Sequence, residues 1–356
     1  MPRRNLTRRH VLQGLAAAPL AMPVLSRPAT AAAPAPSAVT PALIEAAKKE
    51  GKVAWYTAVD LPVAERIAKA FEAKYPGIAV RVERSGGERI FQRIGQEYAS
   101  KIHAVDVVNS SDAAHFIVWK RDGLLAPYVP EDVASHYPAE HKDPDGLFAS
   151  WRIWLCVIGY NTKLVKAEEA PKSYADLLDP KWVGKLVKAH PGYSGTIMTA
   201  TFQMARDIGW SYFEKLAAQK VMQVQSSADP PKKLALGERA VMADGNEYNL
   251  IQLKERGEPV EIVYASEGTP IIVGPSGVMK EAPNPNAARL LQSFMFSAEC
   301  QQLMVDWGGL RSVHALVKDK AGRTPLGSIK LMKDDPAAVE TQADDIKARY
   351  TRYFKV

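Results

Sequence analysis

Two cysteines, Cys156 and Cys300, are all that 356 residues contain. So sparse a set excludes a disulfide-stapled scaffold and every zinc arrangement built on paired Cys and His. Cys156 lies in the apolar run Trp154-Leu155-Cys156-Val157-Ile158 and Cys300 in a helix-like segment. Two buried thiols are therefore expected, with a single disulfide as the alternative. Signatures of catalysis are equally scarce. There is no phosphate-binding P-loop and no Gly-x-Gly-x-x-Gly after a strand. Gly192-Tyr193-Ser194-Gly195 and Gly274-Pro275-Ser276-Gly277 both miss the Gly-x-Ser-x-Gly elbow, and neither has a discernible His and acid partner. His136 to His141, HYPAEH, has neither metalloprotease spacing and carries Pro138. No catalytic residue is expected, an exported hydrolase built from scattered residues being the alternative.

What is present begins at the first residues. Thr7-Arg8-Arg9-His10-Val11-Leu12-Gln13 sets paired arginines before a weakly apolar run, Val11 to Leu25, broken by Pro19 and Pro23. The run is too short and too interrupted to span a bilayer, and the small residues Ala31-Ala32-Ala33 follow it. This resembles a twin-arginine export signal over residues 1–33, with a Pro/Ala linker at 34–41. With no cysteine near the cleavage region to take a lipid, a soluble periplasmic protein is expected. The leader holds five arginines and no acid, so its removal lowers the formal charge from +7 to +2. A nucleic-acid partner then loses its electrostatic support. The remaining chain of about 320 residues exceeds one core of usual size, so two lobes are the natural division.

Past the linker the apolar residues alternate between two periods. Lys52–Tyr56, Ile78–Val82 and Val105–Val108 read as strands, with helices over Pro62–Tyr75, around Ile90 to Ile94, and from about Ser111 to Lys120. Trp151 to Tyr160, WRIWLCVIGY, reads as one long buried strand. A second alternating set runs from Lys185 to Arg256. Val260–Tyr264 and Ile271–Val278 then bracket a Gly-Thr-Pro turn, and Asn286–Phe296 is an amphipathic helix. Repeated βαβ units predict mainly parallel sheets covered by helices.

The strand ends that feed helices carry small polar groups: Tyr56-Thr57, Ser85-Gly86-Gly87, Asn109-Ser110-Ser111, Tyr193 to Thr196, Ser226-Ser227 and Asp244 to Asn249. Ligands of open parallel sheets bind outside these ends, where helix N-termini offer free N–H groups to anions. Each group alone reads as an ordinary helix cap. Six in two successive units predict a shared cleft. Within AVMADGNEYNLIQLKERG (240–257) a strand end gives way to Asp244, Glu247 and Tyr248 before the next helix. These three are either a helix start or a ligand grip.

Four segments carry a family resemblance: LIEAAKKEGKVAWYTA, DVVNSSDAAHFIVWKRDGLLAPYVP, IGYNTKLV and GVMKEAPNPNAARLLQSFMFSAECQQLM. Over Ala42 to Arg311 or beyond, the chain resembles the periplasmic solute-binding proteins of ATP-driven importers, in the ferric-ion-binding branch of the two-lobed type II family. The resemblance implies a clamshell of two α/β lobes, 42–152 plus 268–356 and 153–267, with a hinge at Trp151–Ile158 and Tyr264–Thr269. It implies capture of a small solute, no chemistry, no cofactor beyond the transported ligand, and delivery by a monomer to an inner-membrane permease. A binding protein that feeds a membrane sensor is the alternative to transport.

The family's metal ligands are a His, a Glu and two adjacent Tyr, and these positions fall on Asp60, Glu88, Glu247 and Tyr248. One tyrosine of the pair and the histidine are therefore replaced by acids. An all-oxygen set still suits a hard cation such as Fe3+. The resemblance leaves a second ligand class open, a small organic or phosphate-type anion. Its candidate contacts are Tyr56, Thr57, Ser85, Gly86, Gly87, Ser110, Ser194, Gly195, Thr196, Ser227 and Tyr248. Arg84, Arg89 or Arg311 would supply the counter-charge, whereas Trp154 and Trp307 read as packing.

Overall fold

A computed structural model describes residues 33–356; residues 1–32, which hold nearly all of the expected export signal, lie outside the described residues. The strands are β1 (Lys52–Thr57), β2 (Ala79–Arg84), β3 (Val107–Asn109), β4 (Leu125–Ala126), β5 (Ala149–Leu155), β6 (Ile158–Asn161), β7 (Leu186–Ala189), β8 (Met222–Val224), β9 (Val241–Met242), β10 (Val260–Val263), β11 (Thr269–Met279) and β12 (Leu331–Met332). The helices are α1 (Pro41–Glu50), α2 (Leu61–Lys74), α3 (Gly87–Ala99), α4 (Ala114–Arg121), α5 (Glu131–His136), α6 (Gly195–Asp207), α7 (Trp210–Ala217), α8 (Asp229–Ala235), α9 (Glu247–Glu255), α10 (Pro285–Phe296), α11 (Ala298–Asp306) and α12 (Pro336–Phe354).

Two sheets divide the strands. The first runs β12-β11-β3-β1-β2, with β4 and β5 also paired to β11; the second runs β10-β6-β9-β7-β8. Each is parallel through its βαβ units, β1 with β2 and β3, β7 with β8 and β9. Each turns antiparallel where the chain enters or leaves, at β11 with β3 and β5, and at β6 with β9 and β10. The sheets are thus mixed rather than mainly parallel.

The segment WRIWLCVIGY is two strands, not one. It belongs to the first sheet as far as Leu155 and to the second from Ile158. Between them the Cys156 N–H donates to the Pro270 carbonyl and the Val157 N–H to the Gly245 carbonyl, so the backbone stays satisfied while changing sheets. The return crossing lies between β10 and β11. These two crossings join the lobes.

Local signals act as their chemistry requires. Thr40 caps α1 by accepting from the Leu43 N–H at 3.2 Å, Pro41 starts the helix, and Gly51 ends it with φ +68°. The linker is tied down rather than free: the Ser37 N–H donates to Val129 O, and Ser37 O accepts from the Glu131 N–H. Both cysteines are buried and unpaired. α12, which the expected division assigns to the first lobe, packs against α4 on one side and α6 and α7 on the other. It therefore straddles both lobes, holding Glu88 through Lys347 at 2.9 Å and Lys188 through the Tyr350 hydroxyl at 2.8 Å. Among the described residues no helix is long and apolar enough to cross a membrane.

Candidate ligand-binding cleft

The lobes meet along the tips named above. A Cβ on Gly86, before α3, would collide with the Tyr193 carbonyl oxygen, and one on Gly195, at the start of α6, would lie 2.8 Å from Asp112 Cβ. Only glycine permits that approach. Across the same face Arg84 Nη2 donates to Ser226 Oγ at 3.1 Å, and Arg89 bonds Gln225 while its guanidinium stacks 5.1 Å over Tyr193. Beside this contact lies a cavity of about 730 Å³, lined by Asp60, Arg84 and Trp307 of one lobe and Ala228, Asn249 and Gln252 of the other.

Arg152, in the middle of β5, carries the most telling electrostatics. All seven residues of that strand are buried, and the arginine is 1 % exposed. Its guanidinium lies 4.3 Å over the Trp154 ring and 5.5 Å from that of Trp151. Its Nε and Nη2 are buried without a hydrogen-bond partner. Burial lowers its pKa to about 10, and nearby Arg84 adds to the effect against the pull of Tyr248. A cation stays charged in this setting only at a cost, which an anion would relieve.

Tyr248 sits beside it, fully buried at the start of α9. Burial and the charge of Asp60 push the phenol up to about 12, with Arg152 and Arg84 pulling the other way. Asn246, the N-cap of α9, accepts from the Trp154 indole N–H at 3.2 Å and donates to Tyr248 Oη at 3.2 Å and to Asn249 Oδ1 at 2.9 Å. Asp244 pairs with buried Lys188 at 3.0 Å.

The four expected metal ligands do not form one cage. Glu247, 0 % exposed, is gripped by Arg311 through Nε–Oε2 at 3.1 Å and Nη2–Oε1 at 2.7 Å, and Tyr264 Oη donates to it at 2.7 Å. Glu88 belongs to a different cluster: Oε1 meets His115 Nε2 and Oε2 meets Lys347 Nζ, both at 2.9 Å. Burial would raise this carboxyl, but His115 and Lys347 outweigh it and hold it at about 2. Among the described residues, Glu88, Asp112 and His115 are the one set of at least three His, Cys, Asp or Glu groups whose ligand atoms lie within 4.8 Å of one another. Lys347 already stands against that set. Asp60 lines the cavity, and its charge acts on the Tyr248 phenol.

The anion candidates divide as well. Tyr56 turns away from the cleft: it packs with Ile90, Ile94 and Trp119, its hydroxyl donates to Glu97, and Arg93 lies over its ring. Thr57 accepts from the Val59 N–H, and Ser110 Oγ bonds His115 Nδ1 at 2.7 Å. Ser85, Gly86, Gly87, Ser194, Gly195 and Thr196 lie at or beside the lobe contact, and Ser227 adjoins the cavity residue Ala228. Of the candidate counter-charges, Arg84 lines the cavity and Arg311 is committed to Glu247. Trp307, read as packing, is 37 % exposed on the cavity wall. Arg152 was missed, although a charge inside an otherwise apolar strand is a readable signal.

Residues 105–325 match the family model of bacterial extracellular solute-binding proteins. The chain belongs to that family. It is accordingly a solute-binding protein of the ABC-transporter type, with the two-lobed fold. A Salmonella typhimurium (strain LT2) relative, provisionally named a 2-aminoethylphosphonate-binding periplasmic protein, is 29 % identical over 251 residues, 66 % of this chain and 70 % of the relative. The periplasmic binding protein AfuA of Actinobacillus pleuropneumoniae, solved with fructose-6-phosphate, superposes with a TM-score of 0.79 at 24 % identity, covering 86 % of this chain and 99 % of AfuA. Iron-bound HitA of Pseudomonas aeruginosa superposes with a TM-score of 0.72 at 23 % identity, covering 85 % and 99 %. Proteins solved with a sugar phosphate and with iron thus share this fold.

Proposed function

We propose that this protein is a periplasmic receptor for a small organic anion of the phosphate or phosphonate type, which it delivers to the permease of an ABC importer. One observation carries the reading. Arg152 keeps a guanidinium in a fully buried strand with Nε and Nη2 unpartnered, within the electrostatic reach of Tyr248 and of Arg84, which lines the cleft. Planar guanidiniums match phosphoryl oxygens in pairs, and such bonds are stronger when desolvated. The sugar phosphate of AfuA and the aminophosphonate named for the Salmonella relative belong to the same ligand class.

A ferric reading draws on HitA, but it needs oxygen ligands free to bind. Glu247 is held by Arg311 and Tyr264, and Glu88 by His115 and Lys347. Tyr248 would be a lone phenolate beside a cation. Ligand capture needs no catalytic residue; affinity comes from closing two half-sites, and release from reopening at the permease. Trp307 on the cavity wall provides the probe. A fluorescence titration with organic phosphates, phosphonates and ferric citrate should respond to members of the first two groups. A response confined to ferric citrate would reverse the assignment.

A further inference from the structure

Helix α12 reaches both lobes, but it holds them by different means. Its buried residues Val339, Ile346 and Tyr350 recur at helical spacing and form one stripe. Val339 and Ile346 pack with Met198 and Phe202 of α6 and with Trp210 of α7, and among the described residues of that cluster Ala114 alone comes from the first lobe. Tyr350 is sealed onto the second lobe. Its hydroxyl accepts from Lys188 Nζ at 2.8 Å and donates to Gln223 Oε1 at 2.7 Å, and its ring packs edge-on to His190 with centroids 4.8 Å apart.

Toward the first lobe the grip is ionic. Lys347, next to Ile346, reaches Glu88 Oε2 at 2.9 Å, and Glu340 meets Arg121 of α4 at 2.9 Å. The Arg121 pair is too exposed to hold much. The Lys347 pair is different: the Glu88 side chain is 4 % exposed and that of Lys347 33 %. The carboxylate is therefore fixed inside the first lobe, while the ammonium stands where water can replace its partner. When Lys347 leaves, Glu88 keeps its bond to His115 at 2.9 Å. Release thus costs one contact and strands no buried carboxylate unpaired. Parting α12 from the second lobe would instead expose the whole apolar stripe.

We propose that α12 travels with the second lobe and that Lys347 on Glu88 is a latch holding the lobes together before a solute arrives. Lys347 is then a positioning residue, acting on closure through Glu88 without touching the solute. The inference stands on the two-lobed fold and the contacts of α12, whichever solute the cleft takes.

The test compares wild type, Lys347→Met and Lys347→Arg, each freed of bound solute by unfolding and refolding. Met keeps the length of the side chain and drops its charge; Arg restores the charge. Small-angle scattering reads the separation of the lobes, and hydrogen exchange reads which surfaces open. Lys347→Met should have a larger radius of gyration than wild type. Amides at Ser111, Asp112 and Gly195, where the lobes touch, should exchange about tenfold faster, as loss of one charge-assisted contact allows. Those of α12 should keep their protection, and Lys347→Arg should match wild type in every readout. An unchanged radius with unchanged exchange at the lobe contact in Lys347→Met overturns the latch. Loss of protection along α12 in that variant overturns its attachment to the second lobe. A Lys347→Arg protein as open as Lys347→Met overturns the role of the charge.

Discussion

The Arg152 guanidinium lies 4.3 Å over the ring of Trp154, and the indole N–H of that same tryptophan donates to Asn246 of the other lobe. A buried cation, an aromatic wall and the cap of helix α9 are thus linked across the crossing between lobes. Anything that neutralises Arg152 therefore acts beside a crossing between the lobes.

Replacing Arg152 by Met should separate binding from stability. Loss of two charge-assisted bonds costs about 3 kcal/mol or more, so affinity for an organic phosphate should fall roughly a hundredfold in calorimetry. Without ligand, the thermal midpoint should stay level or rise, because a buried cation with unpartnered nitrogens has been removed.

Glu247→Ala should behave in the opposite way. Arg311 would keep Asp319 at 3.0 Å but lose its buried two-pronged partner, and Tyr264 would lose its acceptor. Breaking such a pair costs about 3–5 kcal/mol, which urea denaturation of the unliganded protein should record.

The summed contribution of the shifted carboxyls should peak near pH 4. Glu88 has its ordinary value of 4.5 depressed to about 2 in the fold, so its contribution is complete above 4.5 and is lost as pH falls toward 2. Burial, with neighbouring carboxylates adding, raises Asp112 from 3.8 to about 6 and Asp334 from 3.8 to about 7. These carboxyls hold protons in the fold, so their contribution is complete below 3.8 and is lost as pH rises through 6 and 7. Burial lowers His115 but Glu88 and Asp112 outweigh it, and its net upward shift acts in the same direction as those two. Chemical denaturation between pH 3 and 8 should trace this profile, and Asp334→Asn should flatten its alkaline side.

Both thiols should resist labelling in the native protein. Burial drives the pKa of Cys156 and of Cys300 well above the ordinary thiol value, and the reactive thiolate is scarce in that state. Two equivalents of a thiol reagent should react on unfolding and close to none before it.

The parts of this molecule that repeat locally were legible from residue order. Apolar spacing locates β1, α2 and α10 within a residue or two, because each is decided by its own face. The break at Cys156–Val157 was not, since the apolar run continues while the backbone changes sheets. Tyr56 was misread for a related reason. In a strand buried on both faces, alternation cannot say which face holds the core, and Tyr56 faces α3. Glu247 and Arg311 lie 64 residues apart, so nothing local marks the carboxylate as taken. Arg152 was visible and unread, in WRIWLCVIGY.

Native mass spectrometry with metal analysis, on protein isolated from the bacterial periplasm, addresses the ligand most directly. A co-purifying organic species containing phosphorus, present in wild type and absent from Arg152→Met, is the expected result. Stoichiometric iron in wild type, lost in Tyr248→Phe and kept in Arg152→Met, would contradict it.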